Sequence, residues 1–245
     1  ELQYYLNKAE QYQFNLPDSS LFYAKLLQQK ASENSNSIYL GESQRMIGVY
    51  FQLKGLLDSA GNYYQKSLEY YEGTQDTVRL TRIIISLALV DISKGRYNIA
   101  LSNLLKAQDY AQKVGREDYR LRSIGEIARI YSLQGDHENA IEQARYFYDQ
   151  VKDGDNISQK SIALSYLSVE YMHFHNHDSS LFYLNKNLEL EKTNPVFNPT
   201  ALGAIYQNIA SVYTEMDNSE QALRDFGQPP RVFARGGGAG HPGAG

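Results

Sequence analysis

Asp18-Ser19-Ser20-Leu21-Phe22-Tyr23 returns letter for letter as Asp178-Ser179-Ser180-Leu181-Phe182-Tyr183, 160 residues later. That interval is four times 40, and the intermediate steps hold. Stepping by 40 from Ser20 reaches Ala60, Ala100, Ala140 and Ser180, all small. Four positions further on lie Ala24, Tyr64, Leu104, Ala144 and Leu184, and five before the small residue lie Gly55, Gly95 and Gly135. The register then slips by two, placing Ala222 and Phe226 in a sixth copy. A period of this length marks an array of supersecondary units that bury their apolar faces only by stacking.

Each copy reads as two helices. In the third, Ile84, Leu87, Ala88 and Asp91 follow the i, i+3, i+4, i+7 spacing of one helical face, and Ala100, Leu104 and Ala107 do so after the Gly95-Arg96 turn. Glycine between the two suits the left-handed residue that closes a helix. Other copies follow: Ile47, Gly48 and Phe51 before Gly55; Ile124, Ile127, Ala128 and Tyr131 before Gly135; Leu164, Leu167, Ser168 and Tyr171 before His175; Tyr206, Ile209, Ala210 and Tyr213 before Asp217. No segment alternates for long with period two. The spacing predicts helix pairs at 37–54/57–72, 76–94/97–113, 117–134/137–152 and 156–175/178–192, with incomplete copies at both ends.

In order and spacing, Ile127-Ala128, Tyr131, Gly135, Ala140 and Ala144 resemble the tetratricopeptide repeat, as do Ile47-Gly48, Phe51, Gly55, Ala60 and Tyr64. The resemblance covers residues 1–226 and implies an all-α, right-handed α-α superhelical solenoid of about six helix-turn-helix repeats. It departs from the family pattern in its 40-residue period, six longer than usual. No tryptophan stands at the first large position, and prolines that would close a repeat occur only at Pro195 and Pro199. Long tyrosine-rich repeats of this kind look like the tetratricopeptide regions of bacterial sensor kinases and transcription regulators.

Composition narrows the function classes. The chain has 245 residues, 21 tyrosines, no cysteine and a net charge of -4. Disulfide scaffolds and cysteine-based zinc sites are excluded, and the charge argues against nucleic-acid binding by bulk electrostatics. The longest apolar stretch, from Ile83 to Val90, contains Ser86 and is too short to span a membrane. The opening residues Glu1-Leu2-Gln3-Tyr4 carry no targeting pattern, and no compartment is assigned. From Gly227 the composition shifts to Gly, Pro, Ala and Arg. Residues 227–245 read as a flexible linker or a non-native extension, cutting the sixth repeat's second helix at Phe226. The natural protein is then expected to continue.

Chemistry-bearing motifs are sparse. No phosphate-binding glycine loop, His-Glu-x-x-His or Gly-x-Ser-x-Gly occurs, so neither an enzyme nor a cofactor is expected. His173, His175 and His177 have spacing a metal could use. Repeat phase gives them ordinary places too: His177 matches Tyr97 and His137, and His175 takes the turn-glycine position. Asp178, like Asp18 and Asp58, falls where a helix N-cap is expected. Asp91 is the one acid among inward positions otherwise held by Phe51, Tyr131, Tyr171 and Tyr213. A buried carboxylate needs a partner, so a structural contact is expected ahead of a ligand contact.

In the family, first helices line the concave surface. By phase, the resemblance places Glu42, Arg45, Val49 and Gln52 there; Arg82, Ile85, Leu89 and Ile92; Arg122, Gly125, Arg129 and Ser132; and Ile162, Ser165, Val169 and Met172. Four of these are arginine and none is lysine. Over 76–135 there are ten Lys or Arg against six Asp or Glu. The expectation is a non-enzymatic protein- or peptide-binding scaffold. Its ligand contacts would be Arg45, Gln52, Arg82, Ile85, Leu89, Arg122, Arg129, Ser165, Val169 and Met172, and its partner an acidic peptide or one with a free C-terminal carboxylate. The alternatives are a solvated face whose charges pair along the helix, as Glu126 with Arg122 or Arg129, and a sensory region of a larger signalling protein.

Overall fold

The computed structural model describes residues 1–195 and 198–216. Eleven α-helices make up its regular structure among those residues: α1 Leu2–Tyr12, α2 Pro17–Glu33, α3 Ser37–Leu53, α4 Leu57–Glu72, α5 Thr77–Ser93, α6 Tyr97–Lys113, α7 Glu117–Leu133, α8 His137–Val151, α9 Ile157–His173, α10 His177–Lys192 and α11 Pro199–Glu215. The four helix pairs read from the period agree with α3 through α10 to within two residues. The expected second helix of the sixth repeat and the Gly-rich tail lie outside the described residues.

The turn inside each pair is one repeated device. Gly55, Gly95 and Gly135 have φ of 73°, 72° and 75°, and His175 occupies the same left-handed region at 55°. In each turn the next amide reaches back to close the helix: Leu56 to the Phe51 carbonyl at 2.9 Å, Arg96 to Asp91 at 2.8 Å, Asp136 to Tyr131 at 2.9 Å and Asn176 to Tyr171 at 2.9 Å. This is the Schellman closure, and it satisfies carbonyls that the helix end would otherwise leave unpaired. The helix starts correct one expectation. Asp18, Asp58 and Asp178 do not cap; each sits inside the first turn, where its negative charge is favoured by the positive end of the helix dipole. For α10 the capping side chain is Asn176, which accepts from the Ser179 amide at 3.1 Å.

Two compact units divide the chain, Glu1–Gln143 and the residues from Ala144 onward. In the first, consecutive helices from α1 to α7 pack pairwise, and α1 also touches α3, as α5 touches α7. Ile84, Ile85, Ala88, Ala100, Leu104, Ala107, Ile127 and Ile130 form one cluster of its core. In the second unit, α9, α10 and α11 pack on one another around Leu184, Leu188, Leu202, Ile205, Ile209 and Val212.

The small-residue ladder is buried throughout: Ser20, Ala60, Ala100, Ala140 and Ser180 are all at or below 2% exposure. Where the small residue is serine, its hydroxyl completes the close approach. Ser20 Oγ donates to the Ala9 carbonyl and Ser180 Oγ to the Ser168 carbonyl, both at 2.8 Å. Each bond ties a second helix to the backbone of the first helix of its own pair. Adjacent second-helix positions are filled differently from repeat to repeat. Leu104 packs where Tyr64 stands one repeat earlier, and the larger tyrosine is accommodated by glycine opposite it.

Candidate ligand-binding face

Glu42 organises the first-helix face of the first unit. It sits on α3 and is only 1% exposed. Three guanidiniums surround it. Arg45, one turn on, donates from Nε to Oε2 at 2.9 Å; Arg79 on α5 donates from Nε to Oε1 at 2.9 Å; Arg82 donates from Nη2 to the same Oε1. Burial alone would push the Glu42 carboxyl up, but the charges of Arg45, Arg82 and Arg79 outweigh it and hold the carboxyl below its ordinary value.

Two more carboxylates complete the network. Glu10 on α1 accepts from Arg45 Nη2 at 2.7 Å, and Asp76, which caps α5 through the Arg79 amide at 3.0 Å, pairs with the Arg79 side chain. Three arginines thus meet three carboxylates across α1, α3 and α5. Arg79 was not singled out by repeat phase, because it lies one turn before the face and reaches it only through its long side chain.

The glycines of α3 make room for the rings behind this face. A β-carbon at Gly41 would fall 2.5 Å from the Tyr71 ring, and one at Gly48 would fall 2.6 Å from Tyr64. Burial, with the Glu42 charge second, pushes the Tyr71 hydroxyl up from its usual pKa. Burial does the same for Tyr64, opposed by the nearby charges of Arg45 and Arg122. The Tyr64 hydroxyl donates to Gln52 Oε1 at 2.6 Å, so Gln52 lies half-buried with a partner already in place.

The arginines expected to act alike therefore differ. Arg45 is 7% exposed and already carries two carboxylate partners, so its guanidinium is engaged inside the protein. Arg82 keeps 26% of its side chain exposed, and its Nε is buried without a hydrogen-bond partner. Arg129 pairs with Glu126 at 2.7 Å and stays 38% exposed. Arg122 is exposed and has no carboxylate partner among the described residues.

The apolar set divides in the same way. Ile85, expected as exposed floor between the charges, is a core residue at 1% exposure, packed among Ile84, Ala88 and Ile127. Periodicity missed this because α5 is contacted by α4, α6 and α7, so its buried arc is wide. Ile92 is likewise buried, whereas Leu89 is half-buried against the same cluster. The α9 residues belong to the second unit. There Ser165 accepts from Asn187 Nδ2 through Oγ at 3.0 Å, Met172 packs against the Leu184 cluster, and Val169 is half-buried.

Asp91 has the structural partner expected of it. It is buried at the end of α5 and forms an ion pair with Arg96, across the Gly95 turn. The histidines separate: His173 Nδ1 lies 4.0 Å from Glu170 Oε2, while His175 and His177 approach Glu215. No helix among the described residues is long and apolar enough to cross a membrane.

No protein-family model matches the chain, and no curated protein matches it. Solved structures do. BtubC (BKLC) from P. vanneervenii is similar over 100% of this chain and 96% of its own, with a TM-score of 0.69 and 18% identity. The apo quorum sensor NprR from B. thuringiensis is similar over 92% of this chain and 63% of its own, with a TM-score of 0.78 and 18% identity. A Signal Transduction ATPase with Numerous Domains from Pyrococcus horikoshii, which has a tetratricopeptide repeat sensor, is similar over 92% of this chain and 35% of its own, with a TM-score of 0.72 and 16% identity. Helix pairs of constant period, closed by the same left-handed turn and stacked through small residues, give this chain the all-α solenoid fold of tetratricopeptide-repeat proteins.

Proposed function

We propose that the chain is a non-enzymatic protein- or peptide-binding scaffold, and that the first-helix face of its first unit receives a segment bearing carboxylates. Arg122 carries the reading. Its guanidinium is exposed, unpaired with any described carboxylate, and near enough to the Tyr64 hydroxyl for its charge to act on that group. The neighbouring arginines Arg45, Arg79 and Arg82 are already neutralised by Glu10, Glu42 and Asp76. Their network supplies a rigid rim, and Leu89 supplies half-buried apolar surface beside it. A carboxylate meeting Arg122 would gain a charge-assisted, bidentate pair without first breaking an internal one. Arg129, two turns further along the same face of α7 and 38% exposed, is the next donor.

A defined peptide library tests this, each peptide carried with a free C-terminal carboxylate and as its amide. Binding measured by fluorescence polarisation should favour the free carboxylate, weaken with salt and fall further in Arg122→Glu than in Arg122→Ala. Equal binding of acid and amide forms, or equal binding by wild type and Arg122→Glu, would reject the face.

A second reading is favoured by two of the neighbours, a quorum sensor and a protein with a repeat sensor. In it the solenoid is the sensory or regulatory part of a larger signalling protein. The coding sequence beyond the repeats separates the two: an output domain there supports the sensor, and further repeats with a capping helix support the scaffold.

A further inference from the structure

The second unit brings together three side chains whose chemistry is unlike anything on the arginine face. His175 lies in the turn between α9 and α10, His177 opens α10, and Glu215 ends α11. One donor atom from each lies within 4.8 Å of the other two. The rings of His175 and His177 are 6.2 Å apart and steeply inclined, and His177 Nδ1 stands 3.9 Å from Glu215 Oε2.

That last distance is too long for a hydrogen bond. His177 Nδ1 is also shielded from solvent and has no hydrogen-bond partner. A buried ring nitrogen left unpaired is costly, and the Glu215 carboxylate facing it stops short of it. A cation held between the two would satisfy both.

We propose that His175, His177 and Glu215 form a binding site for a divalent transition-metal ion of the zinc class. Two imidazoles and one carboxylate are a donor set that such ions prefer, and three protein ligands leave a coordination position for water. Tetrahedral coordination at metal–ligand distances near 2.0–2.1 Å sets donor atoms roughly 3.4 Å apart. His175 and Glu215 are exposed, so their side chains are free to rotate toward that spacing. His173 takes no part, because its Nδ1 faces Glu170 instead. The ion would clip the turn of one helix pair to the end of the next helix, joining α10 and α11 where the direct His177–Glu215 approach, at 3.9 Å, is too long for a hydrogen bond.

The left-handed backbone of His175 supplies an unusually clean variant. The equivalent residue in three other turns is glycine, so His175→Gly removes a ligand and leaves a residue that suits the conformation. Isothermal titration of the full chain with ZnCl2 alone, after chelator treatment and dialysis, should show one saturable site. Affinity should drop by more than about tenfold in His175→Gly, His177→Ala and Glu215→Gln. His173→Gln should bind as wild type does, and His175→Gly should melt no lower than wild type without metal. Saturating Zn2+ should raise the melting temperature of wild type and leave that of His175→Gly in place. The absence of saturable Zn2+ binding would overturn the site, as would binding unchanged in His175→Gly and His177→Ala, or binding lost in His173→Gln.

Discussion

Gly48 on α3 lies so close to Tyr64 on α4 that a β-carbon at position 48 would stand 2.6 Å from two carbons of the ring. Forty residues on, the same two places hold Ala88 and Leu104, both fully buried. A larger residue on one helix is matched by a smaller one on its partner. Gly48→Ala should therefore destabilise the protein by about 1–3 kcal/mol, although alanine is the better helix former. Adding Tyr64→Leu copies the next repeat's pair and should recover most of that loss. Denaturant melts of the two single variants and the double variant check this; additive losses would mean that the contact does not couple the two positions.

Ala100→Leu tests the ladder itself. Ala100 is completely buried against Leu104 and Ala107 in the core of the first unit. The added volume must displace that packing, and a loss of about 1–3 kcal/mol is expected from urea melts. A variant that unfolds at the wild-type midpoint would remove the ladder from the account.

Glu42 should make stability depend on pH in a specific direction. Its folded carboxyl is held below the ordinary 4.5 by three arginines. The stabilisation is then fully present above that ordinary value and is lost as pH falls through the lower folded value. Glu42→Gln leaves buried Arg45 with Glu10 alone and should cost about 3–5 kcal/mol near neutral pH. The gap between variant and wild type should narrow as the solution is acidified below pH 4.5. Melting curves from neutral to acid pH decide it, and a gap independent of pH would contradict the network.

Arg82 and Arg122 occupy the same repeat position on α5 and α7, yet should respond in opposite ways to truncation. Arg82→Ala strips a partner from buried Glu42 and should lower stability. Arg122→Ala touches an exposed side chain and should leave the melt within about 0.5 kcal/mol of wild type. Peptide affinity, in contrast, should depend on Arg122 even where stability does not. Parallel melting and binding measurements on the two variants separate a structural arginine from a recognition arginine.

The sequence by itself determined the repeat, because its signals are local. Small residues, turn glycines and 3.6-residue spacing act within one helix pair, so Gly55, Gly95 and Gly135 announce the turns, and His175 is found by phase where its residue type would not suggest it. Burial of Ala60, Ala100 and Ala140 follows from the same phase. Which polar groups are consumed was decided only by tertiary structure. Arg45, Arg82 and Arg122 look equivalent in register, but Glu42 meets Arg79 and Arg82 from 37 and 40 residues away, and Arg45 finds Glu10 across 35. Phase gives the direction in which a side chain leaves its helix. It does not give the partner that a long, flexible side chain finds on the next one. Ile85 went wrong for the related reason that its helix is enclosed by three neighbours. Glu215 joined His175 and His177 only because α11 packs on α10, a contact that repeat spacing alone does not resolve to single atoms.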